Sequence, residues 1–255
     1  MFSPLATRAK KLRDVKGSRT LLDGVCLHTT GRSVFLKAGS NSEKGLAAAV
    51  KYYTKGGAGF PNYIIGHKGE IIQTASEAEP NWHAAWKKAQ VKEYKAWEKT
   101  TAALPKKYLW WGSRWQDEPP RNYASPLSLL QEATDGRSYD PNDDTRDSPN
   151  DDFCGIEGLW HPEGWTPEMY ISCAQLCLDI AERHEFPIEF PLPSIRLLGH
   201  EDLCPITRTT ESGVPWDPRG QCAWNKLQEE IKNLIPSSGM LDESSRDRIL
   251  NPWSL

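Results

Sequence analysis

"RLLGHEDLCPITRTTESGVPWDPRGQCAW", Arg196–Trp224, opens with a short apolar run that feeds directly into a histidine. It then continues as a polar loop containing several prolines. With Ser194 and Ile195 before it, the run reads as a strand, and His200 stands where that strand gives way to the loop. "GVCLHTT", Gly24–Thr30, has the same form and reads as a strand ending at His28. "FCGIEGLW", Phe153–Trp160, is a third such run, with one acidic residue, Glu157, set among apolar ones.

Helical patterns lie between these runs. "SEKGLAAAVKYYTKG", Ser42–Gly56, carries Leu46, Val50 and Tyr53 on one face and stops at a Gly pair. "TPEMYISCAQLCLDIAERHEF", Thr166–Phe186, has Thr166 as cap and Pro167 at the first helical position. Met169, Cys173, Leu176, Cys177 and Ile180 form its apolar face. "AWNKLQEEIKNLI" is a closing helix. "NYIIGHKGEIIQTA", Asn62–Ala75, reads as a hairpin turning at His67-Lys68-Gly69, with Gly69 supplying the positive φ. Strands alternating with helices, with a hairpin between, indicate an α/β fold. The expected architecture is a mixed central β-sheet flanked by helices, with a large Trp-rich insertion.

The insertion is legible as a change of composition. Residues 87–152 begin with a charged helical pattern and end in "DGRSYDPNDDTRDSPNDD", an exposed loop by its Asp, Asn, Pro and Ser content. Its acidic residues lack the Gly and closing Glu of an EF-hand, so calcium is not expected. The chain is thus expected to form a single domain, 1–255, with a core at 20–86 and 153–235 and a polar tail at 236–255. No internal repeat is present.

Bulk properties exclude several classes of function. A net charge of -3 and a pI near 6.1 argue against a nucleic-acid binder. The locally basic "RAKKLRDVKGSR", Arg8–Arg19, reads as a solvated arm. No apolar run approaches the ~20 residues of a membrane-spanning helix. The N-terminus lacks the apolar centre of a signal peptide, so a cytoplasmic or phage-borne monomer is expected. The six Cys form no compact framework and no CxxC pair, which makes buried thiols the expectation and a Cys-based zinc finger unsupported.

Two His at the ends of apolar strands suggest a metal site, since α/β sheets build sites at strand ends. A catalytic zinc takes three protein ligands and keeps one position for water. Glu201, Asp202, Cys204, Asp217 and Cys222 are all candidates for the third ligand. Spacing alone does not choose among them.

The ordered set "GVCLHTT", "NYIIGHKGEIIQ", "NWHAAW", "CGIEG" and "GHEDLCP…WDPRGQCAW" resembles the zinc-dependent N-acetylmuramoyl-L-alanine amidase superfamily. That group includes phage lysozyme-type amidases, muropeptide-recycling amidases and peptidoglycan recognition proteins. Each motif is weak alone, but five in order are specific. The resemblance covers roughly residues 20–86 and 153–235.

The resemblance implies Zn²⁺ held by His28, His200 and Asp217, with Cys222 as a fallback third ligand and Cys204 a weaker one. It implies Glu157 as general base, Arg208 as a donor to the oxyanion, and His83 of "WHAA" as a further donor. Trp82 and the insertion's Trp110 and Trp111, with Trp115 nearby, are candidates for stacking on sugar faces; the alternative is a small core of the insertion's own. The implied activity is hydrolysis of the amide between N-acetylmuramic acid and L-alanine in peptidoglycan or muropeptides. The alternative is a recognition protein of the same fold that binds without cutting. Pro61 stands where phage-type amidases have a catalytic Tyr, so Tyr63 does not inherit that role. The loop "TRTTESGVPW" is longer than the family's, which leaves the placement of Asp217 to be established by structure.

Overall fold

The computed structural model describes residues 2–13, 22–32, 41–55, 59–79, 83, 109–111, 114–116, 150, 153–194, 196–203 and 217–235, with the side chains of 10–13, 109–111, 114–116 and 203 outside that description. Strands β1 (Thr7–Arg13), β2 (Gly24–Thr29), β3 (Tyr63–Ile65) and β4 (Ile71–Ala75) lie in the first half. Helix α1 (Ser42–Thr54) sits between β2 and β3. Then come β5 (Leu109–Trp111), β6 (Arg114–Gln116), β7 (Phe153–Gly158), α2 (Pro167–Arg183), β8 (Leu197–Gly199), α3 (His200–Leu203) and α4 (Trp224–Leu234). The main sheet has six strands in the order β1-β4-β3-β7-β2-β8. The β3–β4 pair is antiparallel and the other pairs are parallel, which is the mixed α/β sheet expected.

Two neighbouring interior strands, β2 and β7, are buried along their whole length. Parallel strands covered on both faces read as continuous apolar runs, and these two do. Their register pairs Cys26 with Gly155 and His28 with Glu157. Because side chains alternate across a strand, these four positions share one face. The opposite face carries Val25, Leu27, Cys154 and Ile156, which belong to the main core with the apolar sides of α2 and α4. Each fully buried Leu, Ile or Met there contributes roughly 1.5–3 kcal/mol. Helix α1 covers the first face: Ala49, Leu46, Val50 and Tyr53 pack with Ile64 and Leu159.

Local chemistry explains the element boundaries. Thr166 accepts a hydrogen bond from the Met169 amide and Pro167 occupies the first turn of α2, as the sequence suggests. Helix α1 is capped by Asn41, whose side chain accepts from the Lys44 amide. The hairpin turns at Gly69, with φ of 80°. Ser172 donates to the Gly69 carbonyl at 2.8 Å and Thr166 donates to the His67 carbonyl at 2.6 Å, so α2 docks on the turn. At the far side of the sheet, Glu77 is fully buried and takes hydrogen bonds from Tyr63, Arg183 and His184.

One expectation is corrected. The basic stretch read as a solvated arm forms strand β1 across Thr7–Arg13, paired in parallel with β4 at the sheet's edge. Lys and Arg suit an edge strand because their charge discourages further strands from adding there, so a basic run and an edge strand are the same signal. Cys26, Cys154, Cys173, Cys177 and Cys222 are buried free thiols, as expected. No helix among the described residues is long and apolar enough to cross a membrane. Most of the insertion and the tail 236–255 lie outside the described residues. Within the insertion, β5 and β6 form a two-stranded antiparallel pair in which Trp110 faces Trp115 in register.

Candidate metal centre and cleft

Parallel strands deliver their C-terminal ends to one edge of a sheet, and here that edge collects the chemistry. β2 ends at His28-Thr29, and β8 runs into His200, the first residue of α3. The two imidazoles meet with ring centroids 4.6 Å apart at an interplanar angle of 69°. Asp217 approaches from the segment before α4. Its carbonyl accepts from the Glu201 amide at 2.9 Å, and its Oδ1 accepts from the Thr29 amide at 2.8 Å. Its Oδ2 then lies 3.1 Å from His200 Nδ1 and 3.8 Å from His28 Nδ1. The approach depends on Gly199, where a Cβ would stand 2.6 Å from Pro218 Cδ.

All three groups are buried, and their donor atoms lie within 4.8 Å of one another. Burial alone would raise the Asp217 carboxyl, but hydrogen bonds and charge from His200 and His28 hold it well below the usual carboxylate range. Two imidazole nitrogens and one carboxylate oxygen converge, the carboxylate oriented by the Thr29 amide, and form a set that could hold a divalent metal. The nitrogen-rich, borderline-soft character of the set suits zinc.

Two further carboxylates, Glu201 and Asp202, follow His200 in the chain. Asp202 accepts from the Gly199 amide at 2.8 Å, and Arg219 bridges Glu201 and Asp202. Burial raises both carboxyls, Glu201 to about 8 and Asp202 to about 6, despite Arg219. These groups hold the loop rather than face the cleft.

The cleft beside the three donors has a volume of about 220 Å³ and is also lined by Glu157, Tyr53 and His83. Glu157 projects from β7 beside His28, its register partner. Tyr53 reaches it from α1 and hydrogen-bonds to its carboxylate. Burial first, then the charges of Glu157 and Asp217, push the Tyr53 hydroxyl far above its ordinary range, so it stays protonated and donates. Sequence reasoning placed Tyr53 only on the apolar face of its helix. Nothing in the spacing distinguishes a Tyr that packs from one whose hydroxyl overhangs a strand end.

His83 lies against β7. Its backbone amide donates to Asn150 Oδ1 at 2.8 Å, its Nε2 contacts the Phe153 carbonyl at 2.9 Å, and its Nδ1 contacts His28 Nε2 at 3.0 Å. Both ring nitrogens therefore meet protein groups, and His83 lines the cleft beside His28. Cys222 sits fully buried in the main core and is not in the converging set. The expected Trp82, Cys204 and Arg208 lie outside the described residues, as do the side chains of Trp110 and Trp111. His67 and His161 pair edge to face at 4.9 Å, away from the three donors.

A sequence model of the N-acetylmuramoyl-L-alanine amidases matches residues 18–214. No curated protein and no solved structure matches the chain significantly.

Proposed function

Because the chain belongs to the N-acetylmuramoyl-L-alanine amidase family, we propose that it hydrolyses the amide between N-acetylmuramic acid and L-alanine in peptidoglycan or its muropeptide fragments. The observation that carries this reading is the convergence of His28, His200 and Asp217 on one point, with Glu157 beside them in the cleft. These three residues would hold zinc. When bound, zinc supplies Lewis acidity, which polarises the scissile carbonyl and makes water a usable nucleophile near neutral pH.

The chain's own groups supply the rest. Glu157 takes the proton of the attacking water and returns it to the departing amine, the two transfers that amide hydrolysis requires. Tyr53 donates to Glu157 and so aims the carboxylate into the cleft. The Thr29 amide fixes one oxygen of Asp217, which leaves the other for the metal. Arg208 is proposed as the cation that steadies the oxyanion; a permanently charged guanidinium suits that role but not proton delivery. Trp82, Trp110 and Trp111 are proposed to stack on sugar rings along the approach to the cleft. The presence of three donors together with Glu157 favours turnover over recognition without cutting.

Mass spectrometry of sacculi and soluble muropeptides digested with the zinc-loaded protein tests the bond assignment. New L-alanine amino termini and intact, peptide-free glycan are expected. Cleavage between amino acids of the stem, with the lactyl amide left whole, would replace this reading with a peptidase.

A further inference from the structure

We propose that the groove between α1 and the β1–β4 edge of the sheet binds a fatty acid, with the alkyl chain along the groove and the carboxylate at Lys51 and Lys55. The groove has a volume of about 580 Å³, against about 220 Å³ for the cleft. That lies within the range of sites for single small molecules. Ala9, Ile72, Leu46, Ala47 and Val50 line it, and none of them is buried. Helix α1 packs Ala49 fully against Ile64 and Leu159 but Leu46 and Val50 only in part, which leaves an aliphatic trough open beside β1 and β4. A contiguous apolar hollow on a protein surface marks a place where something apolar binds. Tyr53 of the same helix lines the cleft and not the groove. The proposed site is therefore separate from the three donors and does not depend on the amidase reading.

The walls favour an alkyl chain over a peptide. Backbone groups beside the trough are already spent, those of α1 within the helix and those of β4 on β1 and β3. The Thr54 hydroxyl also donates inward, to the Val50 carbonyl at 2.7 Å. A peptide lying here would bury amides and carbonyls without partners, whereas an alkyl chain has none to satisfy. Charge then sets the direction of the chain. At the start of α1 the acids are engaged: Lys68 Nζ lies 2.9 Å from Glu43 Oε1, and the Lys68 amide donates to Glu70 Oε2 at 3.0 Å. At the end of α1, Lys51 and Lys55 line the groove, are exposed, and pair with no carboxylate among the described residues. Arg8, the other cation of the lining, lies over the Phe2 ring at 3.7 Å. Along the helix, about 12 Å separates Glu43 from Lys51 and about 18 Å separates it from Lys55. The trough thus has a neutralised end and a cationic end, which fits a chain with one negative head group. A cationic head group would find each acid of the groove already engaged by Lys68.

The test uses the full chain and isothermal titration calorimetry with three probes that share one alkyl chain: decanoate, decanol and decyltrimethylammonium, all kept below micelle-forming concentrations. Decanoate is expected to bind one to one, and the other two at least about tenfold more weakly, as the loss of a hydrogen bond to a charged group implies. The double variant Lys51→Glu, Lys55→Glu is expected to weaken decanoate by about tenfold or more and to leave decanol unchanged. Ala47→Trp, at an exposed helix position, fills the trough and is expected to abolish binding of all three probes. Thermal melts identify any variant that has not folded, and methyl NMR of the wild type then decides. Decanoate is expected to shift the Leu46, Val50 and Ile72 methyl signals. The proposal is overturned by a wild type that does not bind decanoate, by equal affinity for the three probes, by methyl shifts confined to other residues, or by decanoate binding that survives either folded variant undiminished. Binding to phosphatidylglycerol vesicles without binding of free decanoate overturns it in favour of a membrane surface.

Discussion

His200 Nδ1 lies 3.1 Å from Asp217 Oδ2, with residues 201–216 between them in the chain. Among the four described residues near His200 that could have completed a metal site, Asp217 is the one that converges with His28 and His200, while Cys204 lies outside the described residues. Glu201 and Asp202 turn to Arg219, and Cys222 turns into the core. Asp217→Ala is therefore expected to lose stoichiometric zinc after dialysis, together with activity. Cys222→Ala is expected to keep both and to cost about 1 kcal/mol of stability as a core truncation. Atomic emission on the dialysed variants measures the difference, and zinc loss in Cys222→Ala would reassign the third ligand.

Glu157 and the three donors have separable roles. Glu157→Gln keeps the shape of the side chain and removes its ability to accept a proton. It is expected to retain zinc while kcat falls about 10²–10⁴-fold. Steady-state kinetics on a muramoyl-peptide checks this, and a variant that turns over at the wild-type rate would remove Glu157 from the mechanism.

Tyr53 acts on the same carboxylate from the neighbouring helix. Tyr53→Phe deletes one hydrogen bond to a charged group, worth roughly 1.5–3 kcal/mol where it is buried. The expected result is a kcat lowered by about tenfold or more, with KM and zinc content little changed. A change in KM alone would make Tyr53 a substrate contact instead.

A second polar cluster, remote from the cleft, governs acid stability. Burial by itself would raise the Glu77 carboxyl, but hydrogen bonds from His184 and Arg183 outweigh it and bring the group from 4.5 down to about 2. A carboxyl lowered in the fold adds stability that is fully present above its unfolded pKa. That stability is lost as the pH falls from about 4.5 through about 2. The shift corresponds to on the order of 3 kcal/mol. Urea titrations of wild type and Glu77→Gln are expected to differ by about that amount at pH 7 and to converge as the pH approaches 2. A gap that persists at pH 2 would show that packing, not charge, anchors Glu77.

Much of this arrangement is legible in the residues themselves. The strands at Gly24, Phe153 and Leu197 read as short apolar runs because both faces of a parallel strand are covered. The Thr166-Pro167 pair announces α2, and Gly69 announces the hairpin turn. His28 and His200 stand out because a His that closes an apolar run has few other reasons to be there. Asp217 required the resemblance to single it out, since its contact with His200 is made through the fold and not through spacing. Tyr53 and the His83 contact with His28 were not legible. Each depends on which side chain overhangs which strand end, a property of helix placement and of the close approach of His83 to Gly155, where a Cβ would stand 2.6 Å from His83 Cγ. Strand β1 was misread because edge strands carry the same charges as solvated arms.

The central claim is that His28, His200 and Asp217 form a hydrolytic zinc centre. It is tested most directly by measuring zinc content and amine release on the same samples. Protein stripped with chelator is titrated back with zinc and assayed on a muramoyl-peptide, alongside Asp217→Ala. The account predicts no amine release from the stripped protein and activity rising in proportion to zinc up to one equivalent, with neither zinc uptake nor activity in the variant. Full zinc occupancy in the wild type with no release of L-alanine amino groups would contradict it.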